Sequence, residues 1–335
     1  MNKIPVPRLL PMLLPAAFAL ACLTVVSPAL LRQVPMDEVQ TFKTSFLGIL
    51  LEALPFVLVG AILSSLMHLF VSEETLRRWM PKHPVPGILF ACVLGLVFPV
   101  CECGMIPLIR RMIQKGMPVY MAVVFILSGP ILNPVVFSAT YMAFRLYPEM
   151  VYARMGLAFA VAAAIGAILY LYWKDNPLKH SLARGATQDS NGQGHTPAHG
   201  SNKLTAVFIH AADEVFEMGK YLLIGCLLTA GIQAFIAREH LADIGSGPVS
   251  AYLFMMGFAF VLSLCSTSDA FVASTFLQTF SGGSLLAFLV FGPMLDFKNM
   301  LMLLSVFRTK FVLLLTFLIS ALVFTGAVLV GTLWL

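Results

Sequence analysis

The stretch Phe98-Pro-Val-Cys-Glu-Cys-Gly-Met-Ile-Pro107 interrupts a long apolar region of the chain. A short apolar arm precedes it from Pro86, and a second arm follows it and ends in the basic segment 110–115. Helix interiors do not tolerate two prolines and a glycine cheaply. The stretch therefore predicts two half-helices around a break at residues 99–107.

The chain as a whole is far more apolar than a water-soluble domain. Of its 335 residues, 59% are hydrophobic and 11% are charged, and the mean hydropathy is +0.90. Because a soluble domain has about 25% charged residues, a single soluble enzyme domain is excluded. The 21 Lys and Arg residues are scattered between apolar runs without a continuous basic stripe. This distribution argues against nucleic acid as a partner.

Seven apolar stretches are long enough to cross a bilayer, which takes about 20 residues. They are predicted near residues 9–31, 45–71, 118–144, 151–173, 215–237, 284–306 and 309–333. A further segment, 248–281, is interrupted at Cys265-Ser-Thr-Ser-Asp269 in the same way as segment 86–116. Further breaks are predicted at 129–134 and 292–296, where Gly-Pro pairs occur. The fold class is an all-α polytopic membrane protein with interrupted helices.

The positions of Lys and Arg favour two re-entrant hairpins at 86–116 and 248–281. If both segments enter and leave on one face, the basic residues near loops divide 14 to 5, with the excess on the side of the N-terminus. In that division Arg110 is counted with the majority and Arg154 with the minority. If all nine segments crossed, the division would be 10 to 9. Because cytoplasmic loops carry the Lys and Arg excess, we expect a cytoplasmic N-terminus.

Residues 45–173 and 208–335 form an internal repeat at an offset of about 163 to 165 residues. Three landmarks match in the same order: Glu52–Gly60 with Glu217–Gly225, Cys101 with Cys265, and Ser128–Asn133 with Phe291–Asp296. With re-entrant hairpins each half spans the membrane three times, so the second half is inverted relative to the first. Inverted repeats with interrupted helices are typical of secondary transporters, which bind substrate near the membrane midplane.

The repeat divides the chain into four regions. These are an N-terminal transmembrane helix and loop (1–44), membrane repeat 1 (45–173), a cytoplasmic linker rich in Gly, Ser and His (174–207) and membrane repeat 2 (208–335). The linker is interpreted as an unstructured tether rather than a histidine metal site.

Two cysteines, Cys101 and Cys103, flank Glu102 in the first break. In an extended or unwound stretch, the side chains at i and i+2 lie on the same side. Two thiolates can then bind one soft ion such as Cu(I), Zn(II) or a trivalent metalloid, and Cys265 of the matching break can add a third sulfur. Cys101, Cys103 and Cys265 are therefore the predicted metal ligands. The alternative is that these cysteines only pack as small hydrophobic residues.

Ionisable groups at membrane depth usually line a pathway. We expect Glu52 and its repeat partner Glu217 to exchange protons and to couple transport to the proton gradient. The predicted substrate-binding residues come from the breaks and are Cys101, Glu102, Cys103, Asn133, Cys265, Ser266, Asp269 and Asp296. The alternative is a structural ion pair, of Glu217 with Lys220 or of Asp296 with Lys298. Half-helix N-termini also attract anions, so a metal cation and an oxyanion are both admissible substrates.

Four segments resemble the predicted-permease family, which includes organoarsenical efflux permeases and copper or zinc efflux relatives. They are Phe98–Pro107, Arg110-Arg111, Gln114-Lys115-Gly116 and Ser128-Gly-Pro-Ile-Leu-Asn-Pro134. The resemblance covers about residues 45–335. It implies a multi-pass permease of the bacterial inner membrane that exports a toxic ion or a thiol-reactive compound. Glu102 stands where the metal-efflux branch has the serine of a Cys-Ser-Cys form.

Three functions therefore compete. The first is a proton-coupled exporter of a soft metal ion, a metalloid or a thiol-reactive compound. The second is a permease for an anion or a small organic solute with structural cysteines, and the third is a membrane thiol oxidoreductase that uses Cys101 and Cys103. The chain has no G-x-x-x-x-G-K-[ST] phosphate loop, so we expect no ATP engine and no cofactor. The expected partners are the lipid bilayer and the transported ion or solute, together with a homo-oligomer or an accessory membrane protein.

Overall fold

The computed structural model describes residues 36–70, 80–81, 83–97, 102–173, 177–178, 203–235 and 247–334. In chain order the described helices are α1 (Met36–Phe70), α2 (Pro84–Val97), α3 (Glu102–Gln114), α4 (Val119–Ser128), α5 (Pro134–Ala143), α6 (Pro148–Tyr172), α7 (Lys203–Phe235), α8 (Pro248–Leu262), α9 (Ser268–Ser274), α10 (Gly282–Met294), α11 (Phe297–Val306) and α12 (Thr309–Leu333). These residues contain no strand, only an isolated bridge between Leu178 and Phe307. The helix predicted at 9–31 lies outside the described residues.

The described helices repeat one order of lengths in the two halves of the chain. Each half begins with a long helix, 35 residues in α1 and 33 residues in α7. Each half ends with a helix of 25 residues, α6 or α12. Four shorter helices lie between the long ones among the described residues of each half. This order follows the spacing of the sequence repeat.

Apolar stretches without a Gly-Pro pair form continuous helices. The spans predicted at 45–71, 151–173 and 309–333 correspond to α1, α6 and α12. The span predicted at 215–237 is α7, which begins earlier, at Lys203, inside the region predicted as linker.

Apolar stretches with a Gly-Pro pair divide into two helices. Residues 118–144 form α4 and α5, and residues 284–306 belong to α10 and α11. The polar residue after the pair caps the second helix, since Asn133 caps α5 and Asp296 caps α11. The side chains at these two breaks therefore decide where each second helix begins.

Two of the breaks are shorter than predicted. The first is predicted over 99–107, but α3 already begins at Glu102 and includes Pro107. The second is predicted over 292–296, but Gly292 and Pro293 lie inside α10 and the helix ends after Met294. Prolines are tolerated in membrane helices whose neighbours supply hydrogen bonds. In α3, the Ser64 hydroxyl of α1 donates to the carbonyl of Pro107 itself at 3.3 Å, a contact that holds this turn against α1 and does not replace the N–H that proline lacks.

Among the described residues, four helical segments are long and apolar enough to cross a membrane. They are Val39–Leu66, Pro148–Tyr172, Gly282–Val306 and Thr309–Leu333, and the third continues across the break between α10 and α11. Large apolar side chains on the outer faces are exposed, for example Leu51 at 68% and Phe317 at 69%. Such surfaces suit lipid rather than water. The described helices are those of a multi-pass membrane protein.

The short helices pack across the boundary between the two halves. α1 and α7 lie along each other, α2 and α6 flank α4 in the first half, and α8 and α12 flank α10 in the second. α3 of the first half contacts α11 of the second, and α9 of the second half contacts α5 of the first. α1 and α3 approach so closely that a Cβ on Gly60 would lie 2.3 Å from the Gly104 carbonyl oxygen. The broken segments therefore meet in the interior.

The chain that follows α6 is anchored before the linker continues. Arg308 donates its backbone N–H to the Pro177 carbonyl at 2.9 Å and its Nε–H to the Leu178 carbonyl at 3.3 Å. The rings of Trp173 and Phe311 meet edge to face, with centroids 5.1 Å apart. Pro177 and Leu178 thus pack against the start of α12, and the remainder of the predicted tether, 179–202, lies outside the described residues.

Candidate functional site

A fully buried ion pair joins the two halves of the chain. Arg154 of α6 is 0% exposed, and its Nη2 lies 3.0 Å from both carboxylate oxygens of Asp269 and from the Ser266 carbonyl oxygen. Its Nη1 donates to the Thr140 hydroxyl at 2.7 Å. Each buried charge depends on the other, because an unpaired charge in the interior is costly. The structure thus brings the predicted residues Ser266 and Asp269 together and shows what holds them.

The break before α9 presents the thiol of Cys265. The Cys265 Sγ lies 3.5 Å from the Thr267 hydroxyl, and its carbonyl accepts the backbone N–H of Asp269 at 2.9 Å. The thiol is also within electrostatic range of the carboxylates of Glu102 on α3 and Glu52 on α1. Three of the predicted residues, one thiol and two carboxylates, therefore come from both halves to one region.

The N-terminus of α3 carries Glu102 and Cys103, and both side chains are buried. Because both residues are helical, the expectation of unwound backbone is wrong for them, and Cys101 lies outside the described residues. Neither Cys103 nor Cys265 forms a disulfide bond. Within the described part of the chain, no group of three or more His, Cys, Asp or Glu residues is placed to hold a metal ion. Ligation by Cys101, Cys103 and Cys265 stays a prediction.

The two predicted proton-coupling residues lie on the paired long helices. Glu52 has an exposed side chain within the candidate span Val39–Leu66 of α1. Glu217 lies in α7, and its side chain is outside what the structure describes. Lys220, its predicted alternative partner, places its ammonium 5.2 Å from the ring centre of Tyr221.

Asn133 and Asp296 cap equivalent helices with the same geometry. The Asn133 Oδ1 accepts the backbone N–H of Val136 at 2.8 Å, and its Nδ2 donates to the carbonyls of Gly129 and Pro130. The Asp296 Oδ1 accepts the backbone N–H of Asn299, and its Oδ2 lies 3.7 Å from the Lys298 ammonium. The alternative interpretation of Asp296, an ion pair with Lys298, is confirmed.

The role of Arg154 is not predicted from the sequence. Counting Arg154 and Arg110 among the loop residues is wrong, because Arg154 lies within α6 and Arg110 within α3, both buried. A signal was present in the helical period, since the buried residues Met150, Leu157 and Ala158 share the Arg154 face of α6. The partner of Arg154 is 115 residues away in the chain, which no local pattern indicates.

The family model described as predicted permease matches residues 38–332. The chain belongs to this family. It is 47% identical over 285 residues to the UPF0718 protein YcgR of Bacillus subtilis (strain 168), a match that covers 85% of this chain and 95% of that protein. The resemblance inferred from residues 98–134 is confirmed, and family membership points to a transporter rather than an enzyme.

A second relative of this permease is named as part of an assembly. It is the "Putative two-component membrane permease complex subunit" of Streptococcus mutans serotype c (strain ATCC 700610 / UA159). The identity is 37% over 285 residues, which cover 85% of this chain and 93% of that protein. No solved structure matches the chain at a significant level.

Proposed function

We propose that this permease exports a soft metal ion, a metalloid or a thiol-reactive compound, coupled to protons, through a central site between its two halves. The observation that carries the proposal is the buried Arg154–Asp269 pair, which connects α6 of the first half to an interrupted helix of the second. Charged groups inside a membrane protein are costly and usually mark a transport pathway. The pair therefore supports a site at the interface of the halves.

The chemistry beside this pair suits a soft, thiol-reactive substrate. Cys265 precedes Ser266 and Asp269 in the same break, and Cys103 occupies the first turn of the matching helix α3. Thiolates are the preferred ligands of soft cations, and the carboxylates of Glu102 and Glu52 add negative charge within range of Cys265. We propose Cys101, Cys103 and Cys265 as ligands and Glu52 and Glu217 as proton-coupling residues.

The arrangement of the halves supports an inverted repeat. Their helices follow one order, and the exchange of contacts is reciprocal, α3 with α11 and α9 with α5. A two-fold relation between halves produces such reciprocal contacts. In transporters built this way, one half rocks against the other around a fixed site. We accordingly propose that the segments 86–116 and 248–281 re-enter from opposite faces and that the N-terminus is cytoplasmic.

One observation favours a second candidate, a permease for an anion or a small organic solute. The Arg154 Nε is buried and has no hydrogen-bond partner, although the same guanidinium binds Asp269 and Thr140. A guanidinium with a spare donor is suited to bind carboxylates and other oxyanions. In this alternative the cysteines only pack, and Arg154 contacts the substrate.

The cellular setting is proposed from the relatives. We place the permease in the bacterial inner membrane, as the family implies. The Streptococcus mutans relative is named a complex subunit, and we extend to this chain an accessory membrane protein as a partner. Copurification of the tagged chain from native membranes tests this extension.

A sensitivity screen of a deletion strain tests the proposed function. We expect the strain to become sensitive to one soft metal or metalloid agent, and the wild-type gene to restore growth. The variants Cys101→Ser, Cys103→Ser and Cys265→Ser should lose at least about tenfold in tolerance, because oxygen is a poor ligand for soft ions. The matched control is Cys92→Ser, which changes a buried free cysteine of α2. Full rescue by all three site variants would contradict thiol ligation and favour the anion permease.

A further inference from the structure

We propose that Asp296, Lys298 and Asn299 form a proton-exchange site in the second half, separate from the cysteine site. The inference rests on the proposed function only in that a permease of this kind uses a coupling ion. It adds a proton-binding group to the proposed Glu52 and Glu217, at a place where the sequence predicts substrate binding.

The two oxygens of the Asp296 carboxylate have different surroundings. Its Oδ1 accepts the backbone N–H of Asn299 and fixes the start of α11. Its Oδ2 makes no hydrogen bond and has the Lys298 Nζ at 3.7 Å. Asp296 is 1% exposed and Lys298 is 5% exposed. The described contact of Oδ2 is therefore the ionic one with Lys298. Oδ2 can accept a proton without displacing any neighbouring atom.

The buried side chain of Asn299 indicates that a polar molecule binds beside the Asp296–Lys298 pair. Asn299 is 1% exposed, and neither its Oδ1 nor its Nδ2 has a hydrogen-bond partner. Buried amides almost always make hydrogen bonds, and buried waters commonly supply them. A water at Asn299, on the first turn that Asp296 caps, would give the carboxylate a donor and a route for protons.

Titratable groups lie on each helix packed on α11, and on α7 they include Glu217 and Lys220. The Cys226 thiol of α7 interacts electrostatically with both Asp296 and Lys298, and the Ser263 hydroxyl at the end of α8, which donates to the Phe260 carbonyl, lies near Asp296. The other helices packed on α11 are α3 and α12. Their charged residues, including the one that precedes α12, are Glu102, Arg110, Arg111, Arg308 and Lys310. In the described contacts of Asp296, Lys298 is the one opposite charge.

Proton binding at Asp296 is connected to helix packing through Lys298. A hydronium ion transfers its proton to Oδ2, so that one O–H bond breaks in the hydronium and one forms in the carboxyl group. The neutral carboxyl group no longer forms an ion pair with the Lys298 ammonium. Lys298 packs against Gly225 on α7: a Cβ added at Gly225 would lie 3.4–3.6 Å from the Lys298 Cα, Cβ and Cγ. A rearranged Lys298 side chain must therefore act on α7, and α7 packs along α1. When the proton leaves, the ion pair forms again.

Infrared difference spectroscopy of the purified full chain, between alkaline and acidic pH and without substrate, tests the inference. We expect a protonated-carboxyl band that Asp296→Asn removes, that Asp296→Glu retains at a changed frequency, and that the control Glu149→Gln, which changes an exposed carboxylate of α6, leaves in place. Lys298→Gln should move the titration midpoint of this band upward by about one pH unit or more, because the ammonium no longer stabilises the carboxylate.

Each outcome decides the inference. A band that is unchanged in folded Asp296→Asn overturns it, and if that variant fails to fold, an unshifted midpoint in Lys298→Gln does so. Because no substrate is present, the result is independent of the sensitivity screen. An Asp296 band in a protein that confers no metal tolerance leaves the proton site standing and removes the proposed substrate. Metal tolerance without the band removes only the proton site.

Discussion

The helix caps at Asn133 and Asp296 have the same geometry but differ in charge. Each follows a Gly-Pro pair, and each residue accepts the backbone N–H three residues later. The Asn133 amide satisfies its donors on the carbonyls of its own turn. Asp296 makes the same cap and keeps a charge that requires Lys298. The cap therefore sets where the second helix begins in both halves, whereas the buried charge is present in only one of these two caps.

The largest expected effect concerns the charge pair that crosses between the halves. Arg154→Met leaves the Asp269 carboxylate buried without a counter-charge, and we expect a loss of about 3–5 kcal/mol in the free energy of unfolding. The matched double variant Arg154→Met/Asp269→Leu removes both charges and should recover most of this loss. Thermal unfolding of the purified protein in detergent measures both. A double variant no more stable than the single one would show that packing, not charge, is at stake.

A smaller effect on the free energy of unfolding is expected when alanine replaces Gly60, and a still smaller one when alanine replaces its repeat partner Gly225. A Cβ on Gly60 would lie 2.3 Å from the Gly104 carbonyl oxygen, whereas one on Gly225 would make ordinary contact with the Lys298 Cα at 3.4 Å. We expect Gly60→Ala to lose about 1–3 kcal/mol through overpacking and Gly225→Ala to change little. The same thermal unfolding measurement compares the two. Equal losses would indicate that α1 and α7 are packed alike in the two halves.

The smallest effect should come from the uncharged cap. Asn133→Ala removes the acceptor for the Val136 N–H and should cost about 1 kcal/mol, whereas Asn133→Ser keeps a capping oxygen and should cost less. Stability is again measured by unfolding, and the tolerance assay should rank both variants near the wild type. A large loss of tolerance in stably folded Asn133→Ser would give Asn133 the substrate role predicted from the sequence.

Much of the fold follows from hydropathy and from the Gly-Pro pairs. α1, α6 and α12 could be predicted because long apolar runs have no other stable form in lipid. The extent of the break at 99–107 could not be predicted from composition, because Pro107 is accommodated in α3. Its neighbour Ser64 is 43 residues away in the chain. The position of a proline shows where a helix is locally destabilised. Tertiary contacts decide whether the helix continues through it.

Individual residues of the candidate site could be predicted from the sequence, but the contact between Arg154 and Asp269 could not. The polar residues of the breaks, such as Ser266 and Asp269, stand out against apolar sequence, and their burial follows from that contrast. Arg154 did not stand out, because a basic residue near the end of an apolar run usually lies at the membrane surface. Its assignment depends on the packing of α6 against the second half, which is a property of the tertiary structure.

The Arg154–Asp269 bond also constrains how the gene can be divided. If the chain were cut within residues 179–202, the upstream fragment would bury a lone cation and the downstream fragment a lone anion. Neither fragment could pair with a copy of itself to cancel that charge, so only coexpression of the two should yield a stable product. An ancestor assembled from two identical subunits would have needed a different arrangement at this position. In the present chain, the stability of each half depends on the charge that the other half supplies.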